Sequence, residues 1–354
     1  MRDDLNNKPV TIRDIAAVVK VHHATVSRAL RDDPRISKET REKIQTMARK
    51  MGYRANPYVT ALTTQMRSRH ATPGRATIGV LNTFGHSGWA EKYEEGIAAR
   101  AAEHGFAVDV ICTPALAGGI HKAGRIIRAR GIRGLIVEPV NRQPEFDGID
   151  FSSLACATID LSLRKPALHR ACADYFQGMR LALDMLHAKH YERIAFCSDT
   201  SEIHRIIGTR WLGGYLAWHA QSTTESKIVP HISNTQAPNG STASERDRHW
   251  RNCREAFERW LDREKPDAII SNNFFFEIWL QELGRKVPID IAFAALGLDL
   301  AETGRSGISQ RPRQIGAAAV DLVAGQIYRN EYGIPPIPTT VLVPPVWIDG
   351  VTTR

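Results

Sequence analysis

The stretch TIRDIAAVVKVHHATVSRAL, residues 11–30, decides how the first part of the chain folds. Thr11 is a good N-cap, and Asp14 three residues later comes close to a capping-box arrangement. Ile12, Ile15, Ala16 and Val19 follow at helical spacing and give one apolar face, which predicts a helix over residues 12–19. A short break at Lys20-Val21-His22 separates it from a second helix, expected from His23 to Arg31. There Val26, Ala29 and Leu30 point inward, while His23, Ala24, Ser27 and Arg28 point outward. Pro34 stops this helix. Ser37, with Thr40 and Arg41, opens a third, KETREKIQTMARKMG, which Gly52 ends. Three short helices with a tight turn between the first two are the minimal helix-turn-helix unit.

Charge separates a generic bundle from a nucleic-acid reader. Residues 1–75 hold 16 Lys and Arg against 7 Asp and Glu, a surplus of nine that equals the net charge of the whole chain. Residues 76–354 balance at 31 of each sign. Positive charge confined to the helical segment is the footprint of a phosphate-binding module, whereas a merely solvated basic face needs no such localisation.

The segment VTIRDIAAVVKVHHATVSRALRDDPRISKETREKIQTMARKMGYRANP, residues 10–57, resembles the DNA-binding headpiece of the LacI (lactose repressor) family of bacterial transcription regulators. The T-V-S-R core, the S-x-x-T-R start of the third helix and the G-Y-R-x-N exit match without a gap. The resemblance implies that His23, Ala24 and Arg28 face base edges, and that Thr25, Ser27 and Asn56 hold phosphates. Thr11, His22 and Arg35 complete the expected DNA-binding set. Arginine pairs bidentately with guanine, whereas alanine offers an apolar contact such as a thymine methyl. His22 and His23 are adjacent, so they make a poor metal pair. Two departures stand out: the family usually has Gly in the turn and Ser at the recognition-helix N-cap, and this chain has Lys20 and His22.

Residues 56–69, NPYVTALTTQMRSR, look like a linker, yet Val59, Leu62 and Met66 recur at helical spacing and Pro57 suits a first turn. The resemblance implies a hinge helix that folds on DNA, with Leu62 wedged into the minor groove. The expected organisation is a headpiece over residues 1–55, hinge and linker over 56–75, and a core over 76–354.

In that core, apolar runs alternate with helical patterns. ATIGVLNTF, AVDVICTP, GLIVEPV, LACATID, RIAFCSD, AIISNN and IAFAALGLD read as buried strands. WAEKYEEGIAARAAEHG, GIHKAGRIIRARG, QGMRLALDMLHAKH, HRIIGTRWLGGYLAWHA and PRQIGAAAVDLVAGQIYRN read as helices. The alternation predicts parallel sheets with helices on both faces and a ligand at the carboxyl ends of the strands. The region resembles the periplasmic-binding-protein-like core of the same family, with two doubly wound lobes, crossovers near residues 160 and 295, and a cleft between.

Position by position, the resemblance implies an effector site of Asn82, Phe84, Asp160, Trp211, Asn273, Asp299 and Gln310. In GTRWLGGY, aligning Gly214-Tyr215 on the family's R-x-x-G-Y puts Trp211 where a sugar-gripping arginine stands, with Arg210 beside it. Tryptophan stacks on a ring face but cannot supply the arginine's fork. Each position keeps a plainer alternative: Asp160 or Asp299 as a helix cap, Phe84 or Trp211 as core.

No GxSxG, P-loop, HExxH or GxGxxG is present, and the histidines of the core form no ligand cluster, so no enzyme, catalytic residue, metal or cofactor is expected. The five cysteines lack CxxC spacing, which fits reduced thiols. No run approaches the roughly 20 apolar residues of a membrane span, and the polar N-terminus suggests no signal peptide, so the protein is expected in the cytoplasm. The expectation is a homodimeric repressor that binds a pseudo-palindromic double-stranded operator under a sugar-like or nucleoside effector. The alternative is a regulator with a degenerate cleft that acts constitutively or through a protein partner. No leucine-heptad tail follows Ile348, so no tetramerisation helix is expected.

Overall fold

A computed structural model describes residues 10–30, 33, 35–53, 76–85, 88–140, 143–146, 148–200, 202–221, 228–297 and 303–354, apart from the side chains of 89 and 202–206. The chain divides into two compact units, Met1–Pro73 and Gly74–Arg354.

The first unit contains α1 (Ile12–Val19), α2 (His23–Ala29) and α3 (Lys38–Lys50). Thr11 and Asp14 form a complete capping box at α1, and Ser37 caps α3. Ile15, Ala16, Val26, Ala29, Ile44 and Ala48 make the small core, with Leu30 and Tyr53 packed at its edge. The Gln45 amide of α3 donates to the Ala29 carbonyl at 3.1 Å, tying the third helix to the end of the second. The second helix ends at Ala29, short of the expected Arg31, with Leu30 as its cap. The expected hinge over residues 56–75, with Asn56 and Leu62, lies outside the described residues.

The second unit holds two six-stranded sheets. The first is built from β1 (Thr77–Asn82), β2 (Ala107–Cys112), β3 (Gly134–Val137), β4 (Ala155–Ile159), β5 (His169–Ala173) and β11 (Thr340–Val343), in the order β11-β5-β4-β3-β1-β2. Every pairing in it is parallel. The second is built from β6 (Ile194–Asp199), β7 (His231–Ser233), β8 (Ala268–Ser271), β9 (Ala292–Gly297), β10 (Gly307–Ser309) and β12 (Val346–Ile348), in the order β12-β10-β9-β8-β6-β7. It is parallel except at β12, which runs against β10. Central strands such as GLIV, ACATI and AIIS are buried along their whole length, because helices cover both faces.

Helices α4 (Gly88–Glu103) and α10 (Pro312–Arg329) pack on one face of the first sheet, and α5 (Gly119–Ala129) packs on the other. In the second lobe α6 (Tyr175–Ala188) and α7 (Glu202–Gln221) cover one face, and α8 (Ala243–Glu264) with α9 (Phe275–Glu282) covers the other. Helices α4 and α10 cross with their backbones touching: a Cβ on Gly96 would collide with the Arg313 carbonyl, and one on Gly316 with that of Tyr93.

The expected crossovers near residues 160 and 295 need correction. The chain passes between lobes after Ala173, again after Ser309, and a third time between Val343 and Val346. The error has a physical source: β5 opens on His169-Arg170 rather than an apolar run, and β10 has three residues, so neither shows strand periodicity. Among the described residues no helix is long and apolar enough to cross a membrane. All five cysteines are free, three of them buried.

Candidate DNA interface and effector site

The turn between α1 and α2 shows how this chain manages without the usual residues. Lys20 caps α1 in the left-handed region at φ 60° and ψ 45°, and its amide donates to the Ala16 carbonyl. A lysine there carries the strain that glycine avoids. His22 then caps α2: its Nδ1 accepts from the Ala24 amide at 3.3 Å. With Nδ1 as the acceptor, Nε2 is the ring nitrogen left to donate. The imidazole thus fills the role of a serine hydroxyl and adds a donor.

Along α2, Val26 and Ala29 are buried, His23 and Arg28 are exposed, and Ala24, Thr25 and Ser27 are half-buried. His22 and His23 rings lie 4.1 Å apart at the start of the helix, beside a groove lined by Arg13, Ala16, Ala17, Lys20 and Val21. Thr11 is exposed but committed to the capping box, its hydroxyl donating to Asp14 Oδ2 at 2.7 Å. Arg35 is exposed and forked onto Asp33, at 2.9 and 2.7 Å, and this pairing holds the Asp33 carboxyl far below the usual range.

In the core unit the expected effector residues divide. Asn82 ends β1 with its carboxamide engaged: Oδ1 accepts from the Phe84 and Gly85 amides at 3.0 and 2.8 Å, and Nδ2 donates to Glu94 at 3.4 Å. Phe84 is half-buried beyond that turn. Asp160 follows β4 in the left-handed region at φ 69° and is 6% exposed. It accepts a 2.5 Å bond from the Tyr175 hydroxyl, while burial holds its carboxyl above the usual range. Asn273, after β8, is 8% exposed; its Nδ2 donates to Asp199 at 2.8 Å and its Oδ1 has no partner. Gln310 is buried just past β10. Asp299 lies outside the described residues.

Trp211 needs correction. It is 0% exposed, edge-on to Tyr175 with ring centroids 5.1 Å apart, and it lies against Gly178 and Pro345. Its ring is packed between α6 and α7, with its indole Nε1 buried and without a hydrogen-bond partner among the described residues. Arg210 beside it is exposed, and its charge reaches Asp160.

Sequence reasoning misses Glu138, the residue after β3. It is 0% exposed, both carboxyl oxygens lack a partner among the described residues, and burial together with the charge of Glu94 pushes its carboxyl up to about 8. Its strand alternation puts it on the face of Gly134 and Ile136, towards Tyr93 and Glu94 of α4. The available signal is a lone acid closing the apolar run GLIVEPV.

Comparison with known proteins fits this geometry. Residues 11–56 match the model for bacterial regulatory proteins of the lacI family, and residues 183–353 match that for a periplasmic binding protein-like domain. The HTH-type transcriptional regulator MalR of Staphylococcus xylosus is 22% identical over 94% of this chain and 96% of its own length. The probable HTH-type transcriptional repressor ExuR of Bacillus subtilis (strain 168) is 39% identical over 82 residues, 23% of this chain and 24% of that protein. In fold, the chain is similar to the transcriptional regulator CelR in its cellobiose complex, with a TM-score of 0.57 at 16% identity over 97% of this chain and 99% of that one. It is also similar to the lac repressor dimer bound to operator and the anti-inducer ONPF, with a TM-score of 0.54 at 19% identity over 98% of this chain and 99% of that one. A capped three-helix headpiece that matches the model for bacterial regulatory proteins of the lacI family, followed by a two-sheet core that matches the periplasmic binding protein-like domain, gives this chain the domain make-up of a DNA-binding transcription regulator similar to those of the lacI family.

Proposed function

We propose that the protein is a homodimeric repressor whose paired headpieces bind a pseudo-palindromic operator, under control of a small effector held between the lobes of the core. The observation that carries the reading is the outer face of α2, where His23 and Arg28 stand exposed above a buried Val26 and Ala29 in the segment that holds the chain's whole positive surplus. One headpiece buries too little surface for specific affinity, which favours two on one site. Residues 56–69, with Leu62, would join them as hinge helices at the operator centre. Ligand control requires unequal affinity for two arrangements of the lobes.

The test is operator binding by the Arg28→Ala variant. Specific affinity should fall by roughly 1–3 kcal/mol with relaxed preference at one base pair per half-site. Equal losses on specific and random DNA would leave Arg28 a phosphate contact only. Binding should also weaken steeply with salt as counterions are released.

A second reading, a regulator without an effector, draws support from the burial of Trp211 and the engaged carboxamide of Asn82. Loss of the effector response on Asp160→Ala, with ligand-free DNA binding kept, would exclude it.

A further inference from the structure

The carboxyl edge of the first sheet contains an unmet electrostatic demand. Glu138 and Asn82 end neighbouring strands on the side covered by α4, with the Glu138 amide bonded to the Leu81 carbonyl at 3.1 Å. Glu94, half-buried on α4, reaches this corner through its 3.4 Å bond to Asn82, and its charge acts on Glu138. Tyr93 beside it feels both Glu138 and Asp160. Two carboxyl groups therefore share a corner in which one, Glu138, is fully buried and has no hydrogen-bond partner among the described residues.

Among the described residues, three flanking cations have partners of their own, and the charge of Arg210 acts on Asp160. Arg313 of α10 is turned to Glu95 at 2.6 Å, and Lys92 of α4 to Glu95 at 3.8 Å. Arg170 of β5 donates to the Asp160 and Leu163 carbonyls at 3.2 and 3.1 Å. Across the core, the buried Oδ1 of Asn273 is a second acceptor without a donor. A buried acceptor left unmet is costly, and a buried carboxyl without a counter-charge keeps its proton rather than stand ionised. Among the described residues no group of three or more His, Cys, Asp or Glu side chains is placed to hold a metal ion.

We propose that this corner is a subsite for a protonated amino group of the effector, with Glu138 and Glu94 as its counter-charges, so that the ligand is a small amine-bearing molecule rather than a neutral sugar. The inference rests on the reading that the core holds an effector. An ammonium group donates three hydrogen bonds and carries a charge opposite to that of an ionised carboxyl. Its binding would favour release of the Glu138 proton and give the resulting carboxylate a partner.

The test uses full-length protein and probe pairs that differ in an amino group: glucosamine with glucose, and 1,4-diaminobutane with 1,4-butanediol. Thermal unfolding and titration calorimetry should show binding of an amine and not of its hydroxyl counterpart. Glu138→Gln, which keeps shape and neutral hydrogen bonding, should fold and bind operator but weaken the amine by roughly thirtyfold or more. A hydroxyl counterpart that binds as well as its amine overturns the cationic subsite and leaves the effector reading standing. Amine binding unchanged in Glu138→Gln also overturns it. If no amine binds, the proposal falls, and if neutral sugars and nucleosides fail as well, the effector reading falls with it.

Discussion

Glu138 also makes a thermodynamic prediction that needs no ligand. A glutamate that titrates at 4.5 when unfolded and at about 8 in the fold keeps its proton in the native state across that window, while the unfolded chain releases it. The unfolded state then binds fewer protons, so stability falls as pH rises, by about 1.4 kcal/mol per pH unit. Across the window this loss is on the order of 5 kcal/mol, fully developed once pH passes the folded value. Glu138→Gln removes the titration and keeps the side-chain shape. Asp160, also held above its usual range by burial, contributes with the same sign but is present in both proteins and cancels in their difference. Urea unfolding of both proteins at pH 5, 6, 7 and 8, followed by tryptophan fluorescence, gives the comparison. The variant should gain on the parent by about a kcal/mol with each unit. Parallel curves would mean that Glu138 is ionised and paired in solution, and the reasoning from its burial would be wrong.

Three further predictions concern local geometry. Lys20→Gly should relieve the left-handed strain at φ 60° by more than the added chain entropy costs, for a net gain of about 1 kcal/mol. Roughly fivefold slower hydrogen exchange in α1 and α2 would record it, and faster exchange would refute it. His22→Ala should remove the cap on the Ala24 amide and speed exchange at the start of α2 about threefold, whereas His22→Ser should restore it. Gly96→Ala should force α4 away from Arg313 and destabilise the core by about 1–3 kcal/mol, and an unchanged Tm would show that the helix crossing is looser than it stands.

Much of this fold is legible in the sequence because its signals are local. The capping pairs Thr11–Asp14 and Ser37–Thr40 are read directly, and buried strands such as GLIV and AIIS announce themselves as apolar runs. The short and polar strands β5, β7 and β10, and the edge strands β11 and β12, have no such signature, because their positions depend on neighbours distant in sequence. The 22-residue α8 escapes notice for a different reason: it is mostly charged, and few of its residues are buried. The site is harder still. Helical spacing shows which positions share a side of α7, but not whether that side meets a ligand or another helix, and Trp211 meets Gly178. Glu138 looks like any acid at a strand end until α4 is seen to close over it.

The threefold passage of the chain between its lobes has a consequence for biosynthesis. Residues 340–348 supply β11 to the first sheet and β12 to the second, with only Pro344-Pro345 between them. During translation neither sheet reaches its full strand complement until this short piece has left the ribosome, and both then gain their last strand in quick succession. A nick or premature stop before Thr340 would strip an edge from both sheets at once, so a damaged chain loses both lobes together and becomes a substrate for proteolysis rather than a half-functional regulator.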